Sequence, residues 1–101
     1  MDTKALIKEA QARFDHNAAK QLLKEKYQTK LIVANQGGLW KATPELISYL
    51  ATETDTVVIL MDEYENPVLV NRILLHDELY KVHNDTMTLW YKEFEELSRN
   101  R

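Results

Sequence analysis

Cysteine is absent from this 101-residue chain, and glycine and proline occur only twice each. Without cysteine there is no disulfide framework and no thiol chemistry, so a reducing cytoplasm is the expected compartment. So little glycine and proline argues against a disordered or low-complexity chain, and no internal repeat is present. No apolar run approaches the roughly 20 residues that cross a bilayer. The segment Met1-Asp2-Thr3-Lys4-Ala5 lacks the apolar stretch of a secretion signal. A phosphate loop is also missing. The glycines are adjacent, at Gly37-Gly38, with no strand–loop–helix unit ending in Lys-Ser/Thr around them.

What is there fits one domain with a modest core. The charge is divided unevenly. Residues 1–30 carry Lys4, Lys8, Arg13, Lys20, Lys24, Lys26 and Lys30 against four acids, a balance of +3. Residues 31–101 carry six bases and twelve acids, a balance of −6. Two oppositely charged parts of one fold attract each other, which is the plain reading. The alternative is a basic helix that contacts nucleic acid through Lys20, Lys24, Lys26 and Lys30. Glu9, Asp15 and Glu25 interrupt that basic series, and aromatic stacking groups are few.

The pattern along the chain predicts an α+β fold: two long helices and one short one packed with a small antiparallel sheet of three or four strands, formed by two hairpins. Residues 3–27 form a helix capped by Thr3 or Asp2, with Ile7, Ala10, Phe14, Ala18 and Leu22 as its narrow apolar face. Residues 30–42 form a hairpin around the four-residue turn Asn35-Gln36-Gly37-Gly38, with Trp40 as a core residue. Thr43 caps a short helix over 43–52, and Pro44 takes its first position. Residues 56–70 form a second hairpin. Its first strand, Thr56–Met61, is apolar on both faces and so is expected to be central and doubly covered. Pro67 opens its second strand, as suits an edge. Asn71 then caps a helix over 72–98.

That last helix holds Ile73, His76, Tyr80, His83, Met87, Trp90, Phe94 and Leu97 at an average spacing of 3.5 residues, the period of a stripe that faces a partner helix. A second apolar row (Leu75, Leu79, Val82, Leu89) accompanies its first half, so Ile73 to Met87 is expected to pack in the core. Beyond residue 91 charge takes over. Trp90, Tyr91, Phe94 and Leu97 are therefore the candidate partner-binding residues, on a helix about 40 Å long in a domain about 30 Å across.

Candidate chemistry is sparse. His76 and His83 lie two turns apart, about 10 Å, too far for one metal ion, so both are read as packing and hydrogen-bonding residues. Asp62, Glu63 and Glu65 follow a strand, as carboxylates do in magnesium sites, which makes a metal-dependent hydrolase at Asp62 a third reading. A solvated turn uses the same residues, and no nucleophile motif completes a site. No catalytic residue, metal ligand or cofactor is assigned.

The stretch from Phe14 to Tyr27, then Asn35-Gln36-Gly37-Gly38-Leu39-Trp40-Lys41-Ala42-Thr43-Pro44-Glu45-Leu46, Tyr64–Arg72 and Trp90-Tyr91-Lys92-Glu93, resembles small proteins of T4-like tailed phages, above all those infecting cyanobacteria. The resemblance spans most of the chain. It implies a virion structural or assembly protein, found in the host cytoplasm or the virion. The expectation is thus a non-enzymatic interaction protein that binds a protein partner, or a copy of itself, through its C-terminal helix.

Overall fold

The computed structural model describes residues 3–99, apart from the side chain of Phe14. It is an α+β chain of order α1 (Thr3–Lys30), β1 (Ile32–Asn35), β2 (Gly38–Lys41), α2 (Pro44–Thr52), β3 (Val57–Met61), β4 (Pro67–Asn71) and α3 (Arg72–Arg99). Its extents are 65 × 24 × 19 Å. The elongation comes from α1 and α3, each 28 residues and so about 42 Å long. The two run antiparallel as a stalk, with the hairpins and α2 gathered at one end as a small body.

Local chemistry explains most element ends. The Thr43 hydroxyl accepts the Leu46 N–H at 3.2 Å, and Pro44 sits at the first helical position. The Asn71 side-chain oxygen accepts the N–H groups of Ile73 and Leu74 at 3.0 and 3.1 Å, capping α3. Thr3 is the first described residue of α1, and the other expected cap, Asp2, lies outside the described residues. The first hairpin turn is shorter than expected. Asn35 pairs with Gly38, leaving Gln36 (φ 51°) and Gly37 (φ 81°) as a two-residue turn. Gly38 serves a different purpose, because a Cβ there would lie 2.5 Å from the Trp40 ring.

The strands do not form one sheet of three or four. They form two separate two-stranded antiparallel sheets, β1–β2 and β3–β4. Among the described residues, side chains and a single backbone bond join them where a continuous ladder was expected. Asp62 accepts the Leu39 N–H, the Glu63 N–H donates to the Leu39 carbonyl, and the Gln36 amide bridges the N–H and carbonyl of Asn71.

The core lies where β1–β2, α2, the inner face of β3–β4 and the start of α3 converge. Trp40, Ala42, Leu50, Val70, Leu75 and Leu79 are its most deeply buried members. Arg72 braces the α2–β3 connection by donating to the carbonyls of Leu50 and Asp55, each at 2.7 Å.

Three expectations about faces are corrected. The strand β3 is covered on one side only: Val58 and Leu60 turn inward, while Val57, Ile59 and Met61 are exposed. A lone hairpin has one neighbouring layer, the core, and no described residue covers its other side. On α3 the buried row is Leu75, Leu79, Val82 and Thr86, continuing to Trp90, Glu93 and Leu97, so Ile73, Tyr80 and Met87 are exposed rather than packed in the core. On α1 the inward row is His16, Ala19, Leu23 and Tyr27. Ile7 and Leu22, from the expected face, are exposed, and the Phe14 side chain is outside the described part. The seam between the helices selects faces about one residue away from those that apolar spacing favours.

Candidate interaction surface

A small aromatic and ionic node lies where the stalk joins the body. Tyr27, near the end of α1, is 1% exposed and stacks on Trp90 of α3, with centroids 5.9 Å apart and planes 10° from parallel. The Tyr27 hydroxyl and the Lys26 ammonium both donate to Glu93 Oε1, at 2.5 and 2.8 Å. Lys26 and Lys30 each lie 5.1 Å from the Tyr27 ring centroid. Hydrogen bonds from Lys26 and then Tyr27 hold the Glu93 carboxyl below the ordinary glutamate value. The bond to Glu93 raises both the Tyr27 phenol and the Lys26 ammonium above theirs.

This node fixes one face of the Trp90 ring. Trp90 also lines an apolar depression with Met87, Tyr91 and Phe94. Tyr91 is 65% exposed, Met87 40% and Phe94 37%. Leu97, the fourth sequence candidate, is half-buried in the row that faces α1. The structure thus brings Trp90, Tyr91 and Phe94 together, adds Met87, and turns Leu97 toward the seam. Sequence reasoning missed the anchoring trio of Lys26, Tyr27 and Glu93. Its only available signal was that Tyr27 continues the His16, Ala19, Leu23 spacing.

The four lysines of the nucleic-acid reading divide. Lys26 and Lys30 are engaged at the Tyr27 node, whereas Lys20 and Lys24 line a groove with Asn17, Gln21, Trp90 and Phe94.

Asp62 is a structural anchor of its turn. Its carboxylate accepts backbone N–H bonds from Asn66 (2.9 Å), Tyr64 (3.0 Å) and Leu39 (3.1 Å). The bonds from Asn66 and Leu39 lower its pKa against the opposing effect of burial. Glu63 and Glu65 are exposed. Among the described residues, no three His, Asp or Glu side chains are grouped to hold a metal. His83 Nδ1 lies 3.0 Å from the Ala42 carbonyl, which only accepts, so that nitrogen carries the proton. His76 stacks on Tyr80 and meets Asp77 at 3.1 Å. No described helix is long and apolar enough to cross a membrane.

A family model described as predicted AAA-ATPase matches residues 1–100, and the chain belongs to that AAA-ATPase-like family. No curated protein and no solved structure matches it.

Proposed function

We propose that this chain is a non-enzymatic protein-interaction component that binds a protein partner through the outer side of α3. The observation that carries the reading is the apolar depression of Met87, Trp90, Tyr91 and Phe94, with Trp90 braced from behind by Tyr27. A rigid aromatic anchor beside exposed aromatics is the pattern of a binding hot spot, because little side-chain entropy is left to lose on docking. Lys20 and Lys24 along the neighbouring groove favour a partner segment with acidic groups beside its apolar ones. The resemblance to small phage proteins makes virion structure or assembly the setting of this proposal.

The family description supports a second reading, nucleotide hydrolysis. Here Gly37 and Gly38 belong to a hairpin turn, β4 enters α3 without a loop, and the β2–α2 connection contains no glycine. A phosphate cradle of the strand–glycine loop–helix type is not assigned to these residues. Calorimetric titration with Mg-ATP tests that reading directly.

The interaction reading is tested by Tyr91→Asp and Phe94→Asp. Both positions are exposed, so the melting temperature is expected to hold, while a partner recovered with the wild-type chain from its native host is lost. Recovery of the same partner by both variants would sink the proposal.

A further inference from the structure

Two apolar surfaces far from the α3 depression lack a cover. The first is the outer face of the β3–β4 hairpin. Ile59 and Leu69 are cross-strand partners and are 68% and 66% exposed, flanked by Met61 at 60% and Val57 at 51%. Side chains directly opposite on one face form a continuous surface. Contiguous exposed apolar surface of this kind is what a protein–protein contact covers. Its rim is acidic, with Asp55 before β3 and Glu63 and Glu65 after it, all exposed. The second surface is the N-terminal arm of α1. Residues 3–13 are exposed on every side, with Leu6 and Ile7 44% and 60% exposed beside the small Ala10. This arm is basic, because Lys4, Lys8 and Arg13 outnumber Glu9.

The two surfaces are opposite in sign and alike in apolar character and in length. A helix of eleven residues is about 16 Å long, and a five-residue strand is about 17 Å long. They cannot meet within one chain. From Arg13 the helix runs about 26 Å further before it reaches the body, and both α1 and α3 are rigid, paired elements there. Two copies laid antiparallel bring each arm to the other's hairpin.

We infer that the chain forms a two-fold dimer in which the α1 arm of each copy, through Leu6, Ile7 and Ala10, packs on the outer β3–β4 face of the other. The exchange is reciprocal for a reason of size. One helix-on-hairpin contact is smaller than the roughly 1,600 Å² of a stable interface, and two of them approach it. A two-fold closes the contact, whereas a head-to-tail repeat leaves an unpaired arm and an unpaired face at its ends. Covering the hairpin also resolves the apolar character of β3 on both sides: the second layer comes from the partner copy.

Light scattering on the size-separated full chain at micromolar concentration provides the test. The wild type is expected at twice 11.9 kDa. The pair Ile59→Lys and Leu69→Lys, and separately the pair Leu6→Glu and Ile7→Glu, are each expected to halve the mass without loss of helical circular dichroism. If the lysines disturb the hairpin, Ile59→Thr keeps a β-branched residue and gives the same halving. Mixing the two halved variants is expected to restore the doubled mass, since one contact is then native and the other sets Glu against Lys. A wild type at the single mass overturns the inference. So does an arm variant that stays dimeric, which is the result of hairpin-to-hairpin pairing, and so does a mixture that stays at the single mass.

Discussion

In the body, Trp40, Leu50, Val70, Leu75 and Leu79 are each 1% exposed or less, whereas along the stalk Tyr27 alone among the described side chains reaches that depth. The body draws its buried groups from both hairpins, α2 and the first turns of α3, so each side chain is enclosed by several elements. The stalk has two helices and one seam. A two-helix seam encloses little, and its closure depends on a mixed node: the Tyr27–Trp90 stack, with Glu93 receiving Lys26 and the Tyr27 hydroxyl. The contrast teaches that burial among several elements holds the body, while an aromatic and ionic clasp holds the helix seam. It also explains why the exposed apolar surfaces lie on the stalk and on the outer hairpin face.

The strongest way to probe the contrast is Trp40→Ala. The indole is 1% exposed and donates from Nε1 to the Asn35 carbonyl at 2.9 Å. Its removal is expected to cost about 3–5 kcal/mol, read as a drop in the urea midpoint for the whole chain. A loss below about 1 kcal/mol contradicts a body organised around this ring. A second substitution attacks the same packing from the opposite direction. Gly38→Ala places a methyl group against the Trp40 ring, and the overpacking is expected to cost about 1–3 kcal/mol. An unchanged midpoint means that the ring moves freely, which the burial of Trp40 does not predict.

The smallest effect belongs to the stalk, and pH separates it from the body. Glu93 has a lowered folded pKa, so its contribution is present above the unfolded value of about 4.3 and is lost as pH falls through the folded value. Tyr27 and Lys26 have raised folded values. Their contributions are present below the unfolded values of about 10 and 10.4 and are lost as pH rises through the folded ones. Glu93→Gln is expected to remove the acid-side loosening of the stalk, measured as amide exchange over residues 20–30. Acid sensitivity of the body persists in that variant, because Asp62 is also lowered and lies outside the stalk. If the variant's body and stalk titrate together, the division into two differently held regions fails.

Much of the fold was legible because its signals are local. Thr43 and Asn71 cap where their side chains reach the next turn, Pro44 and Pro67 open their elements, and Gly37 takes a positive φ. Each outcome depends on a few neighbouring atoms. The face of each long helix was not legible in the same way. Ile73, Tyr80 and Met87 and the row Leu75, Leu79 and Val82 are both periodic, and only the position of the hairpins decides which one is buried. The aromatic depression was partly legible. Trp90, Tyr91 and Phe94 stand together as expected, but Leu97 turns inward, because the register set by Tyr27 against Trp90 aims it at α1.

By itself the sequence determined the elements, their order and their caps, the absence of thiol chemistry, and a strand apolar on both sides. These follow from short-range sterics, hydrogen bonding and composition. Only the tertiary structure decided that the two hairpins stay separate, that α1 and α3 meet through a clasp at Tyr27 and Glu93, and which apolar surfaces remain uncovered. Burial is a property of what lies opposite a side chain, and what lies opposite is set by residues far away along the chain.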